Sequence, residues 1–207
     1  MTGIPSPPHN FNSLKLVTES VEARHLLRIA WRDVASHFRF RRDAVYRFDA
    51  PARSFGVLYA AFDFETAFAE TVLRQRPMLA GAGMIPLDYA EIEARVVVAL
   101  EGQGARPLQL IKLYDDGLVA ARVDNSIASV DDYKSTQQWA KALHDHPLRA
   151  DGIVYMSRFL GARKSVALFE RAQAIVAPGR ITPLLEHAEL AAVLDRYQVA
   201  IDRRPEN

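Results

Sequence analysis

Arg47, Tyr59, Glu70 and Ser157 are the residues of this 207-residue chain best suited to chemistry, and they sit in four different local settings. Arg47 falls in a loop, and Tyr59 in the short apolar run FGVLYAA over 55–61, which reads as a buried strand. Glu70 lies in a helix that Asp63 can cap, and Ser157 ends the strand-like segment DGIVYMS over 151–157. A guanidinium offers a planar fork of donors to phosphate oxygens. With an aromatic face, a carboxylate and a hydroxyl beside it, the set suits an active site for a negatively charged nucleotide. Each residue also has a plain structural explanation. Glu70 precedes Arg74 by four positions, the spacing of a solvated helix ion pair. Arg47 can pair with Asp43 or Asp49, Tyr59 can be an ordinary strand aromatic, and Ser157 can satisfy backbone where a strand ends.

The elements that must position these groups are legible from periodicity and turn signals. Pro5, Pro7 and Pro8 predict an extended, mobile N-terminal segment over 1–18, followed by one domain over 19–207. An amphipathic pattern suggests a helix from Glu19 to Phe38. HFRFRR over 37–42 reads either as a solvated connection with inward-packed aromatics or as a phosphate-gripping patch. The helix after Asp63 is expected from Phe64 to about Arg76, with Phe64, Ala67, Phe68 and Val72 on its apolar stripe and Glu70 away from it. Strands follow at 94–100, 108–114, 152–156, 166–170 and about 173–176. A helix carrying Trp139 starts at a capping-box-like Ser129 and Asp132, and another spans 187–197. Strands in the middle with helices around them predict a mixed α+β domain.

Composition narrows the function classes. The chain has 26 Lys and Arg against 25 Asp and Glu, so no global field advertises nucleic acid or a membrane surface. Anionic ligands must be met locally. The absence of cysteine excludes disulfides, thiol catalysis and thiolate metal sites, and fits a cytoplasmic setting. No signal-peptide organisation or apolar run of about 20 residues is present, so no membrane association is expected. His144 and His146 lack a convincing third ligand, so no metal is expected. Sequences of the forms GxxxxGK[ST], GxGxxG after a strand, HExxH and GxSxG are missing.

The ordered blocks RFDAP (47–51), GVLYAA (56–61), ETAFAE (65–70) and DGIVYMS (151–157) resemble the RES domain family, toxins of bacterial toxin–antitoxin pairs. The resemblance covers most of the chain from about Leu26. It puts Arg47, Glu70 and Ser157 at the three positions that name the family, and Tyr59 at its strand tyrosine. Arg28, in LLRIAW, resembles a further arginine near the start of the domain. Asp49 stands where the family usually has asparagine.

The resemblance implies an ADP-ribosyltransferase-like architecture and cleavage of the nicotinamide–ribose bond of NAD, which is substrate and not cofactor. Arg47 would grip the diphosphate, with Arg28, Tyr59 and Ser157 helping to hold the dinucleotide. Glu70 would stabilise the oxocarbenium-like charge that develops at the anomeric carbon. No partner base for Ser157 is visible, so it is not read as a nucleophile. The acceptor, water or phosphate, stays open. So does the oligomeric state, a homodimer included. A separate Xre-type DNA-binding antitoxin is implied as partner. The alternatives are ADP-ribosylation of a protein, an RNA-binding module using His37, Arg39, Arg41 and Arg42, and a silent scaffold hinted at by Asp49.

Overall fold

Apolar runs without polar alternation, such as VLYAA and RVVVAL, belong to strands covered on both faces. The computed structural model of the chain describes residues 4–74, 76, 83–104 and 106–202. Its centre is an eight-stranded sheet built from β1 (Thr18–Val21), β2 (Leu27–Trp31), β3 (Val57–Ala61), β5 (Arg95–Gly102), β6 (Leu108–Leu113), β7 (Gly152–Met156), β8 (Lys164–Phe169) and β9 (Val176–Pro183). Their spatial order is β1-β6-β7-β8-β3-β2-β5-β9. Neighbours run antiparallel except β6 and β7, which are parallel and are joined by a crossover containing the helix Tyr133–Asp145. A separate parallel pair, β4 (Ile85–Asp88) and β10 (Val199–Asp202), lies beside it.

Successive residues of the central strands feed opposite faces. Ile153, Ala167, Phe169 and Ile111 pack with Trp139 and Leu143 of the crossover helix on one face. Val154, Val166, Leu168 and Leu110 form a second cluster with Leu58, Leu100 and Phe40. A third cluster joins Ile29 and Val97 to Phe64, Phe68 and Val72, and to Leu190 and Val193 of the helix Leu190–Arg196. The mixed α+β architecture matches the expectation from sequence.

Two features of the DGIVYMS block register β7. The Asp151 carboxylate accepts the Arg106 guanidinium at 2.6 and 2.9 Å and the Gln109 N–H at 2.8 Å, tying the start of β7 to β6. A β-carbon on Gly152 would meet the Ala167 carbonyl oxygen at 2.5 Å, so β7 can lie this close to β8 only with glycine there.

Three local expectations are corrected. The segment 19–38 is not one helix but β1, a 3-10 turn at Ala23–His25, β2 and a short helix at Val34–His37. Its apolar residues fit a strand equally well, and pairing with β5 and β6 decides the matter. The N-terminal segment is not loose over its described part. Ile4 and Phe11 are buried, and Trp139 Nε1 donates to the Pro5 carbonyl at 2.7 Å. Extended proline-rich backbone lies well in an apolar groove when such anchors are present. The crossover helix begins after Asp132, whose carboxylate accepts Lys134 N and Ser135 N, and not at Ser129. Residues 1–3, together with Gln75 in the expected Phe64–Arg76 helix, lie outside the described residues.

Candidate active site

The sheet is split where the four candidate residues converge. β2 and β3 pair only at Leu27 and Ala61. At the far end Val57 pairs instead with Arg41, through Arg41 N to Val57 O at 2.9 Å and Val57 N to Arg41 O at 3.0 Å. A cleft of about 310 Å³ opens along this wedge, within the size range that receives small ligands. Arg28, Arg47, Tyr59 and Glu70 all line it.

Glu70 reaches the cleft from an unusual helix. Asp63 caps the segment Phe64–Phe68 by accepting the Thr66 N–H at 2.8 Å. The chain then widens into a π-helical turn over Ala69–Leu73, closed by Arg74 N donating to Ala69 O at 2.8 Å. Such turns distort the side-chain spacing of a regular helix and are frequent at functional sites. Glu70 therefore turns to the strand end of β7. Its Oε1 accepts Ser157 Oγ at 2.5 Å and the Arg158 N–H at 2.9 Å. Oε2 accepts no hydrogen bond among the described residues. Arg74 lies over the Tyr46 ring, 4.7 Å from its centroid, in place of the expected pair with Glu70.

Ser157 is buried and does not line the cleft. Its oxygen also accepts the Leu160 N–H at 3.1 Å and, more weakly, the Phe159 N–H at 3.3 Å. The hydroxyl proton is thereby directed at Glu70, so its position is that of a group orienting the carboxylate.

Arg47 is buried and reaches neither Asp43 nor Asp49. Its Nη1 donates to the Val130 carbonyl and, at 3.5 Å, to that of Ile127, while the guanidinium sits 5.2 Å from the Tyr133 ring centroid. Burial lowers its pKa from the ordinary arginine value. Asp49 instead holds the backbone of the Arg47 loop, accepting Val45 N at 2.8 Å and Tyr46 N at 2.7 Å, and takes the Tyr59 hydroxyl at 3.0 Å. Tyr59 OH in turn accepts the Phe48 N–H at 2.9 Å. That hydroxyl is committed to the loop, which leaves the ring of Tyr59 as the part that faces the cleft. Burial raises the pKa of Asp49 despite these donors.

The electrostatics of the lining are one-sided. Among the described residues, seven arginines (28, 39, 41, 47, 74, 95 and 158) line the cleft against one carboxylate, Glu70. Arg28 is the extreme case: Nε and Nη1 are sealed from solvent with no hydrogen-bond partner among the described residues. Burial, with Arg41 close by, pushes its pKa down to about 10. A buried cation without a counter-charge is costly. An anionic ligand would supply that charge.

The model of the RES domain family matches residues 23–187, a span that holds all of these groups. The chain belongs to the RES domain family. A relative described as "Probable toxin y4kH", from Sinorhizobium fredii (strain NBRC 101917 / NGR234), is 32% identical over 120 residues, covering 58% of this chain and 92% of its own length. The fold is similar to a chain of the crystal structure of the M. tuberculosis MbcT–MbcA toxin–antitoxin complex, with TM-score 0.60 and 16% identity, over 90% of this chain and all of that one.

Several groups of this RES domain escape a reading of sequence alone. Arg158 adjoins Ser157 in the DGIVYMSRF segment, and that adjacency is the only signal for it. In HFRFRR the aromatics pack inward, with Phe40 buried and Phe38 beside it, while Arg39 and Arg41 line the cleft. His144 stacks on Phe55 at 3.9 Å and His146 is buried against Phe11, so neither is the surface residue that HDHP suggests. No helix among the described residues is long and apolar enough to cross a membrane.

The Ser157 geometry sets an expectation for turnover. Ser157→Ala removes one hydrogen bond to a carboxylate and leaves the Arg158 N–H in place. A bond of this kind contributes about 1.5 kcal/mol, so for the NAD cleavage that the resemblance implies, nicotinamide release should fall by roughly tenfold in kcat with KM little changed. Steady-state kinetics on the folded variant check this, and a change confined to KM would remove Ser157 from the orienting role.

Proposed function

We propose that this RES domain is the toxin of a toxin–antitoxin pair and degrades NAD by breaking its nicotinamide–ribose bond. The observation that carries the reading is a carboxylate, fixed through one oxygen by Ser157 and Arg158, in a cleft whose other charged lining residues, among the described residues, are arginines. NAD combines a diphosphate with a glycosidic carbon that becomes positively charged as nicotinamide leaves. Arg47 and Arg28 answer the first feature and Glu70 the second.

In this scheme the diphosphate lies against the buried guanidinium of Arg28 and against Arg47, whose loop Asp49 and Tyr59 hold in place. The Tyr59 ring offers a face to the nicotinamide–ribose end. The free oxygen of Glu70 faces the ribose. As the C–N bond breaks, its electron pair leaves with nicotinamide, and the carboxylate stabilises the cationic sugar until the acceptor oxygen bonds to the anomeric carbon. Because Oε1 is already engaged, little reorganisation accompanies the charge development. Arg47 and Glu70 thus act on the substrate directly, and Ser157 acts through Glu70.

The names of the relative and of the structural neighbour support the toxin assignment. An antitoxin, of the Xre DNA-binding type implied by the resemblance, would restrain the activity in trans in the cytoplasm. Incubation of purified protein with NAD, with and without inorganic phosphate, is the deciding experiment. Free nicotinamide with ADP-ribose identifies hydrolysis, and nicotinamide with ADP-ribose 1″-phosphate identifies phosphorolysis. Intact NAD after prolonged incubation under both conditions would reject the reading.

A further inference from the structure

The strap over 127–132, between β6 and the crossover helix, puts protein oxygens on two of the cleft arginines. Val130 O and Ile127 O take Arg47 Nη1. The Asp131 carboxylate takes the Arg158 fork, through Nη1 at 2.5 Å and Nη2 at 3.2 Å. This two-point geometry is the one in which a guanidinium also binds a phosphate. We infer that Arg158 is a phosphate-binding residue of the cleft and that Asp131 is its built-in placeholder, exchanged for the oxygens of the ligand on binding.

Three observations support exchange over a permanent latch. The Asp131 side chain is 73% exposed and that of Arg158 only 18%, so the carboxylate approaches from solvent while the guanidinium lies within the wall of the cleft. A pair with one such solvated partner is weak and is screened by salt. The Arg158 guanidinium is close enough to disfavour the charge of Arg47, while Asp131 favours the charge of both. Two adjacent cations call for a bridging anion, and a diphosphate can hydrogen-bond both where the Asp131 carboxylate hydrogen-bonds Arg158 and not Arg47. Finally, the backbone N–H of Arg158 holds Glu70 Oε1. A single residue thus links the phosphate grip to the carboxylate, so binding of the diphosphate registers the sugar against Glu70.

The proposal rests on the preceding reading only in taking the ligand of the cleft to carry a diphosphate. Inorganic pyrophosphate is therefore the probe, titrated calorimetrically into wild type, Asp131→Asn, Arg158→Gln and the double variant, each checked for folding by thermal melting. Removing the placeholder should tighten the Kd by roughly threefold, the size of a weak exposed pair. Arg158→Gln should weaken it by about tenfold or more. The double variant should match Arg158→Gln, because the placeholder has no effect without its arginine. Should Arg158→Gln fail to fold, Arg158→Lys keeps the charge and loses the fork, and its binding should still be weaker than that of wild type. Unchanged or weaker binding by Asp131→Asn would make the pair a latch and overturn the proposal, as would wild-type affinity in Arg158→Lys. Nicotinamide release is scored separately: its absence with an intact pyrophosphate cycle sinks the proposed reaction alone, and failure of wild type to bind pyrophosphate sinks the placeholder alone.

Discussion

Glu70→Gln should fold as wild type does and release nicotinamide from NAD several hundredfold more slowly. The amide keeps the shape of the side chain, and its oxygen can still accept Ser157 Oγ and the Arg158 N–H, so the π-helical turn and the strand end of β7 stay joined. What disappears is the negative charge, in a cleft with no second carboxylate in its lining among the described residues. Preorganised electrostatic groups of this kind contribute about 3 to 4 kcal/mol to lowering a barrier, which is a factor of roughly 10² to 10³ in rate. In the proposed scheme the loss falls on kcat, because the phosphate-binding roles assigned to Arg28 and Arg47 do not depend on the Glu70 charge. Single-turnover assays of nicotinamide release, paired with NAD binding, separate the two. Activity within threefold of wild type in a variant that binds NAD normally would take Glu70 out of the chemistry.

How much of this was legible in the sequence depends on the range of the interaction concerned. β7 matches its expected bounds at Gly152–Met156, and β3, β5, β6 and β8 fall within a few residues of theirs, because a continuous apolar run bounded by turn residues has few other homes. The cap at Asp63 followed from side-chain chemistry over three residues. The failures are non-local. Residues 27–31 carry the apolar spacing of a helix and become β2 because β5 pairs with them along their length. The pairing that stops after Leu27 and Ala61, and so opens the cleft, leaves no mark in either strand. The four ordered blocks pointed to Arg47, Glu70, Tyr59 and Ser157, and three of these line the cleft. The division of labour among them needed coordinates. Ser157 orients Glu70 from outside the lining, and the Tyr59 hydroxyl is spent on Asp49 and Phe48. Asp49, the departure from the family pattern, is a loop anchor with both oxygens occupied.

The same distinction between charge and position applies one turn earlier in the helix, where Glu65 should prove essential to stability in a pH-dependent way. Its buried carboxylate accepts Arg196 Nη1 at 2.8 and 2.7 Å and the Tyr197 hydroxyl at 2.6 Å, and pairs with Arg163 Nη2 at 2.6 Å. Arg163 also reaches the cap residue Asp63 at 2.8 Å, and its carbonyl accepts the Ser157 N–H at 2.8 Å. One carboxylate therefore joins the C-terminal helix, the start of the Glu70 helix and the loop that carries Ser157. Breaking a buried pair costs about 3 to 5 kcal/mol, and that figure must be reduced because the side chains of Arg163 and Arg196 are 39% and 58% exposed and can regain water. Glu65→Ala should then lose about 2 to 3 kcal/mol at pH 7, read from urea unfolding. Burial alone would raise the pKa of Glu65, but Tyr197, Arg196 and Arg163 outweigh it and hold the pKa below the ordinary 4.5. A lowered folded-state pKa means stabilisation that is complete above the unfolded value and is lost as pH falls through the folded one. The gap between wild type and Glu65→Ala should accordingly be constant from pH 6 to 8 and narrow in acid below about pH 4. A gap that instead widens in acid would show that the carboxylate is not held ionised by its arginines.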